Sequence, residues 1–274
     1  MTNASKHSFS FLHPTALVEE GAHLGKNVSI GPFCSVSKDV ILEDNVVLHS
    51  NVVIQGKTHL GKNVEVFPFA VLGGAPQSLR LTYERSQHGI IIGDNTIIRE
   101  HVTIHPGTAQ GGGETRIGHD CFIMVAAHIA HDCKLGDHVI MANNATLGGH
   151  VTIGDYANIG GLSAVHQYVR IGKHAMIGGM SGVENDVIPY GSVMGDRARL
   201  SGLNVIGLKR RGFSRESIHS LRSAYRLLFA QEGTMAERIL DVSTLFKDHE
   251  IVMEILSFMQ SETDRSICLP KSAT

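Results

Sequence analysis

The run VSIGPFCSVSKDVILEDNVVL, residues 28–48, decides the fold. Val28, Cys34, Val40 and Val46 recur at every sixth position, and two residues after each comes an aliphatic one: Ile30, Val36, Leu42, Leu48. Outward from this run the beat reaches back to Ala16 and Ala22 and forward through Val52, Thr58, Val64 and Ala70. It resumes at Ile90, Thr96 and Val102, and again from Thr115 through Cys121, Ala127 and Cys133 to Ala175 and Ser181. A fixed hexapeptide period is the signature of a parallel β-helix, in which each hexad supplies one short side of a coil. Side chains alternate across a strand, so residues two apart face the same way and both marked positions point inward. Three sides close a triangular turn, and about 18 residues return the chain to the same wall one turn higher.

The repeats define a first domain over residues 12–196. Two segments break the register. Ala75–Gly89, with Pro76, Arg80, Tyr83, Glu84 and Arg85, reads as an outward loop, and Thr108–Glu114, with Gly111, Gly112 and Gly113, as a flexible excursion from the wall. Insertions in solenoids often map to the binding face. From Ser214 the period turns helical: Ile218, Leu221, Leu227 and Leu228 recur at helix-compatible spacing, and Ser214 with Glu216 and Ser217 suits a helix start. Ile239, Leu240, Val242 and Leu245, then Ile251, Ile255 and Phe258, imply further helices, so residues 197–274 are expected to form an all-α domain. A solenoid exposes flat walls and open ends, which favours self-association. The outward Phe67, Phe69, Phe122 and Met124 fit an interface between copies.

Composition narrows the class. Of 274 residues, 42% are hydrophobic and 18% charged, and the net charge is −2. These values describe a globular chain with no general affinity for nucleic acid. No stretch approaches the roughly 20 apolar residues of a membrane span. Met1–Ser10 lacks the apolar core of a secretory signal, so a cytoplasmic location is expected. Cys34, Cys121 and Cys133 occupy the small inward position and read as buried hydrophobes, while Cys268 lies in the tail.

Seventeen histidines are many for this length, and His23, His49, His59, His119, His138 and His174 read as polar corner or wall residues. Residues 127–167 differ. AAHIAHDC places His128 and His131 three apart, with Asp132 beside the second; LGGH adds Gly149 and His150, and AVHQY adds His166 and Gln167. His131, His150 and His166 lie 19 and then 16 residues apart, near one coil each, and are expected to gather on adjacent walls. Three chemistries use such a cluster: a metal held by neutral imidazoles, a histidine general base oriented by a carboxylate, and binding of a sugar or phosphate through imidazole donors.

MVAAHIAHDC, followed by ANNATLGGHV, IGGLSAVHQY and GLKRRGFSRE, resembles the UDP-N-acetylglucosamine 3-O-acyltransferase family over nearly the whole chain. The resemblance implies a left-handed parallel β-helix, a homotrimer with active sites between subunits, and no cofactor. It also implies transfer of a 3-hydroxyacyl chain from acyl carrier protein to a UDP-sugar in the first step of lipid A synthesis. Carried over by residue, His131 matches the general base, Asp132 its orienting partner, and Gly149 the N–H facing the oxyanion. His128, His150 and His166 match sugar- and phosphate-facing positions, and Gln167, Asn204, Arg210 and Arg211 nucleotide-facing ones. Gly179 falls at the acyl-chain ruler position, where a missing side chain leaves room for a medium to long chain. Arg215, Arg222 and Arg226 offer a basic surface for the acidic carrier. Two positions depart from the family pattern. Gln77-Ser78-Leu79-Arg80 stands where the family has Gln-Asp-Leu-Lys, and Ile206 replaces a glutamate. The first departure keeps a 3-amino sugar acceptor open as an alternative. A zinc hydratase of the carbonic-anhydrase type, built on the same solenoid, is the rival from another class.

Overall fold

The computed structural model describes residues 10–78 and 88–271. Phe11 pairs with Ser29, Ser29 with Val47, and Val47 with Glu65, each step one parallel strand higher. These strands of mostly two residues stack into three walls of 11, 9 and 8 strands among the described residues. Together the walls form the left-handed parallel β-helix. In the coils around the histidine cluster, the first wall carries Phe122–Ile123, Ile140–Met141, Asn158–Ile159 and Met176–Ile177. The second carries His128–Ile129, Thr146–Leu147 and Ala164–Val165, and the third Lys134–Leu135, Thr152–Ile153 and Arg170–Ile171.

The interior is the hexad pattern made solid. Val28, Ile30, Val46, Leu42 and Ile54 have no exposure at all. Two hydroxyls at the small position are paired: Thr58 Oγ1 donates to the Gln55 carbonyl at 2.7 Å and Thr96 Oγ1 to that of Gly118 at 3.0 Å. Burial leaves such groups no other favourable state. Cys34, Cys121 and Cys133 are free, buried thiols, and so is Cys268. Burial raises the thiol of Cys121 to about 11 and that of Cys133 to about 12, so neither ionises near neutrality. His49 and His59 pair with Glu65 and Glu43 on the wall surface, the bland role their positions indicate.

Each coil turns through residues in the left-handed backbone region, which asparagine tolerates better than most. Asn27, Asn45, Asn63 and Asn95 have φ of 58–63°. Their amides form a ladder, Nδ2 to Oδ1, at 3.1, 3.1 and 2.9 Å, continued by Asn95 to Asp120 at 3.1 Å. The steps span 18, 18, 32 and 25 residues. The ladder therefore keeps its vertical register across both insertions.

The C-terminal part is not all-α. Arg199–Leu203 is a strand, antiparallel to Gly191–Met194, that covers the otherwise open top of the first wall. An uncovered edge there would present unpaired N–H and C=O groups, which is the physical reason for a strand at this point. Four helices follow: α1 (Val205–Arg210), α2 (Arg215–Leu228), α3 (Met235–Leu245) and α4 (Glu250–Gln260). Ser214 caps α2 by accepting from the Ser217 N–H at 2.9 Å, as the sequence indicates. Thr234 and Glu237 close a capping box on α3. Leu208, Leu221, Leu228, Ile255 and Leu256 join the column's core, and Lys173 and Tyr190 bond Glu254 of α4. After α4 the chain returns to the column, with bridges from Asp186 to Ile267 and from Leu200 to Pro270.

Candidate active site

The site is built from one corner, between the second and third walls. Asp132 turns that corner with φ of 62°, which folds its carboxylate back on His131. His131 Nδ1 and Asp132 Oδ2 are 2.7 Å apart. The second insertion, expected to be a flexible excursion, instead packs onto this carboxylate. Thr108 donates its N–H to Asp132 Oδ1 and its hydroxyl to Oδ2, both at 2.7 Å. Gly111 lies so close that a Cβ there would come within 2.0 Å of Asp132 Cγ, which is why the loop needs glycine. Burial alone would raise the Asp132 carboxyl, but the bonds from His131 and Thr108 and the nearby His150 together hold it below the usual range. It is a buried anion with its oxygens committed, and His131 receives its orientation from it. His131 Nδ1 must then be the donor, which leaves the lone pair on Nε2. Among the described residues nothing hydrogen-bonds that nitrogen.

One coil higher, His150 and then Tyr168 occupy the same corner, each with positive φ. The His131 and His150 rings meet edge-on at 5.1 Å, and Tyr168 stacks on His150 at 4.5 Å. Burial lowers the His150 pKa, with His131 adding to the effect and Asp132 opposing it, so His150 is a neutral donor near pH 7. Gly149 is the coil image of His131, and a Cβ on it would lie 2.6 Å from His131 Cε1. Glycine here is thus required by the His131 ring. Among the described residues its N–H has no acceptor. His128 lies on the second wall with Nδ1 2.7 Å from Thr103 Oγ1, and burial lowers its pKa. The corner therefore brings together His131, Asp132, Gly149 and His150, with His128 beside them on the wall. His166 does not join that cluster. It lies in the coil above His150, exposed, and contacts Arg265 of the returning tail.

Of the expected nucleotide-facing residues, Gln167 is exposed beside Tyr168 at the histidine corner, while Asn204, Arg210 and Arg211 lie on another edge. Asn204, Arg210, Arg211 and Ile206 line a groove of about 600 Å³ on the first wall with Ile140, Asn158, Met176 and Ser192. Asn204 is the N-cap of α1, accepting from the Gly207 N–H at 3.1 Å and donating to the His174 carbonyl at 2.9 Å, so its side chain is largely spent on the fold. Arg211 lies over the Tyr156 ring and donates to its carbonyl at 2.9 Å. Arg210 is exposed, and Ile206, 68% exposed, gives the groove an apolar lip where the family pattern has a carboxylate. Gln77 is exposed and the Ser78 N–H donates to the Pro76 carbonyl; Arg80 lies outside the described residues. Gly179 sits at the edge between the first and second walls, where a Cβ would meet the Gly161 carbonyl oxygen at 3.3 Å. Thr108, Tyr168 and Arg265 were not singled out from the sequence. Tyr168 was legible as the residue 18 beyond His150.

His131, Asp132 and His150 offer donor atoms within 4.8 Å of one another, the grouping a metal would need. However, the Asp132 oxygens already accept from Thr108 and His131, and His131 Nδ1 is tied to that carboxylate. This geometry can serve a histidine general base held by a carboxylate.

The hexapeptide column places the chain among the bacterial transferases of that repeat. The family model described as bacterial transferase hexapeptide (six repeats) matches residues 21–56 and 114–149. A second, described as UDP N-acetylglucosamine O-acyltransferase, domain 2, matches residues 186–268. The acyl-[acyl-carrier-protein]–UDP-N-acetylglucosamine O-acyltransferase of Caulobacter vibrioides is 52% identical over 95% of this chain and 98% of its own. That of Bartonella henselae is 46% identical over 95% and 94%. The solved UDP-N-acetylglucosamine acyltransferase of Campylobacter jejuni superposes with a TM-score of 0.88 at 40% identity, over 94% of this chain and 99% of that one. The chain belongs to the UDP-N-acetylglucosamine O-acyltransferase family.

Proposed function

We propose that the protein transfers a 3-hydroxyacyl group from the thioester of acyl carrier protein to the 3-hydroxyl of UDP-N-acetylglucosamine, the first step of lipid A synthesis. The observation that carries the chemistry is the buried Asp132–His131 dyad with Nε2 left unengaged. In this reading Nε2 takes the proton of the sugar hydroxyl as its oxygen attacks the thioester carbon. The Gly149 N–H donates to the oxyanion that forms. Collapse expels the carrier thiolate, which recovers the proton from His131. Asp132 stays ionised throughout and stabilises the imidazolium. A positioned base is worth about 10²–10⁴ in rate, and one oxyanion donor about 10²–10³. We assign His128, His150 and His166 to the sugar and phosphates, and Gln77, Ser78, Arg80, Gln167, Asn204, Arg210 and Arg211 to the sugar and nucleotide. Arginine suits that task because its planar fork matches paired phosphate oxygens.

The reading calls for a homotrimer. The dyad and the basic groove lie on different edges of the column, so a neighbouring copy has to complete the site. The third edge, between the first and second walls, supports this: Phe33, Phe69, Leu162 and Met180 are 53–74% exposed there. Copies packed about that edge set the first wall of one against the second wall of the next. Gly179 lies on it too, with space for a long acyl chain. Exposed Arg215, Arg222 and Arg226 on α2 are the surface we assign to the acidic carrier. Such a carrier would place the reaction in the cytoplasm; no helix of the described residues is long and apolar enough to cross a membrane.

The relatives carry the O-acyltransferase name, which favours the hydroxyl acceptor over an amine and the transferase over a zinc hydratase. The test is turnover of UDP-N-acetylglucosamine and its 3-amino analogue against 3-hydroxyacyl carrier proteins of graded length, for wild type and H131A. Turnover of the hydroxyl sugar that H131A abolishes supports the reading. No turnover by wild type, or preference for the amine, sinks it.

A further inference from the structure

The tail that returns after α4 sets a guanidinium against one of the site's histidines. Its path is fixed by Asp186, which has no exposure and pairs with Arg170 at 2.7 Å. Asp186 accepts the Thr263 hydroxyl at 2.7 Å, its N–H donates to the Ser266 carbonyl at 2.9 Å, and its carbonyl accepts from the Cys268 N–H at 2.7 Å. Arg265 lies between these anchors. Its Nε donates to the Gln167 carbonyl at 3.0 Å, and its terminal nitrogen contacts His166 Nδ1. Among the described residues no carboxylate pairs with this arginine.

A guanidinium can only donate, so His166 Nδ1 must accept and carry no proton. The competing arrangement, Nδ1–H to the Gln167 carbonyl, is longer at 3.3 Å, and that carbonyl is already served by Arg265 Nε. The ring's proton is therefore on Nε2. We propose that Arg265 is a positioning residue for the transfer: it holds His166 as its Nε2–H tautomer, a standing donor toward the anionic groups of the substrate. His166 is exposed and otherwise free to rotate, and the bond to Arg265 removes that freedom before substrate arrives. The proposal rests on the assignment of His166 to the substrate made above.

Three variants of the full-length protein test it: R265M, R265K and H166A. In ¹⁵N-histidine spectra of the ligand-free protein, His166 of wild type shows an unprotonated Nδ1 and a protonated Nε2. R265M loses that single pattern and gives a tautomer mixture. KM for the UDP-sugar rises about 3- to 10-fold in R265M, the worth of one hydrogen bond, with kcat little changed. R265K, whose ammonium reaches His166 but cannot serve Gln167 in the same geometry, falls between. In a double-mutant cycle R265M adds nothing to H166A. An unchanged His166 spectrum in R265M, or effects of R265M and H166A that multiply, overturns the proposal. Failure of wild type to turn over the sugar would defeat the transferase reading instead, and the spectra would still decide the role of Arg265.

Discussion

Replacing Asp132 by asparagine keeps the shape of the corner and changes one charge and one hydrogen-bond direction. In wild type the carboxylate receives three donors at 2.7 Å: the Thr108 N–H, the Thr108 hydroxyl and His131 Nδ1–H. The Thr108 N–H is backbone and must keep an acceptor, so the asparagine oxygen stays at the Oδ1 place. Its NH₂ then faces Thr108 Oγ1 and His131 Nδ1. The hydroxyl can reverse and accept; the imidazole can accept only by moving its proton to Nε2. That tautomer has no lone pair where the sugar hydroxyl would be deprotonated. The whole base contribution is lost, about 10²–10⁴ in kcat/KM, with the upper end favoured because the same tautomer trap costs about 10⁴ in a Ser-His-Asp triad. Stability changes little, since a buried anion is also relieved of its desolvation; the shift is about 1 kcal/mol in either direction. D132A differs: it orphans the Thr108 N–H and His131 Nδ1–H, at about 1–3 kcal/mol for each unsatisfied group. The assay is steady-state transfer from a 3-hydroxyacyl carrier protein, alongside thermal unfolding. A D132N enzyme within about threefold of wild-type kcat/KM would refute the dyad as the source of the base.

Other substitutions probe the same geometry. T108V removes the hydroxyl donor but keeps the backbone bond, and kcat is expected to fall about tenfold, the worth of one bond to a charged group, with KM unchanged. G149A pushes a methyl into the His131 ring, 2.6 Å from Cε1, and is expected to lower kcat about 10²-fold while the unfolding midpoint stays near wild type. G179M should move the optimum to shorter acyl chains in a graded carrier panel; an unchanged optimum removes Gly179 from the ruler role. Burial, aided by Arg211 and Lys173, pushes the His174 pKa down to about 4 from 6.5, while the unfolded chain binds the proton near the ordinary value. Between those limits the unfolded state holds more protons, so stability is present above pH 6.5 and lost as pH falls toward 4. H174F, which keeps a ring between Tyr156 and Tyr190, should flatten that decline in melting temperature. His105, also pushed to about 4 by burial, supplies a second contribution of the same sign.

The column was legible because its cause is local and periodic. Val28 with Ile30, or Cys34 with Val36, must point inward once the strand alternates, and the repeat carries that rule from coil to coil. His131 beside Asp132 was legible because adjacent residues at a corner need no long-range information. The vertical triplet Asp132, His150, Tyr168 was present in the 18-residue period, yet the spacing of His131, His150 and His166 passed over Tyr168, which stacks on His150. His166 faces a different neighbour because it lies two positions before the corner, on the second wall's side. The loop Thr108–Glu114 was misjudged because a triple glycine signals freedom, whereas here Gly111 is small so that the loop can touch Asp132. The strand at Arg199–Leu203 answers an unpaired edge, which exists only once the column is stacked.

By itself, then, the chain of residues determined a three-walled β-helix, its buried face, its helical C-terminal end and a histidine–aspartate pair at one corner. Tertiary structure alone decided what surrounds that pair. Thr108, 24 residues away, turns Asp132 into a fixed anion, and Arg265, 99 residues away, sets the proton on His166. It also put the groove of Arg210 and Arg211 on a different edge from His131. Local periodicity dictates which way a side chain points, because that follows from backbone geometry. Which partner it meets depends on how the second insertion and the tail are pressed back onto the column, and no short-range rule encodes that.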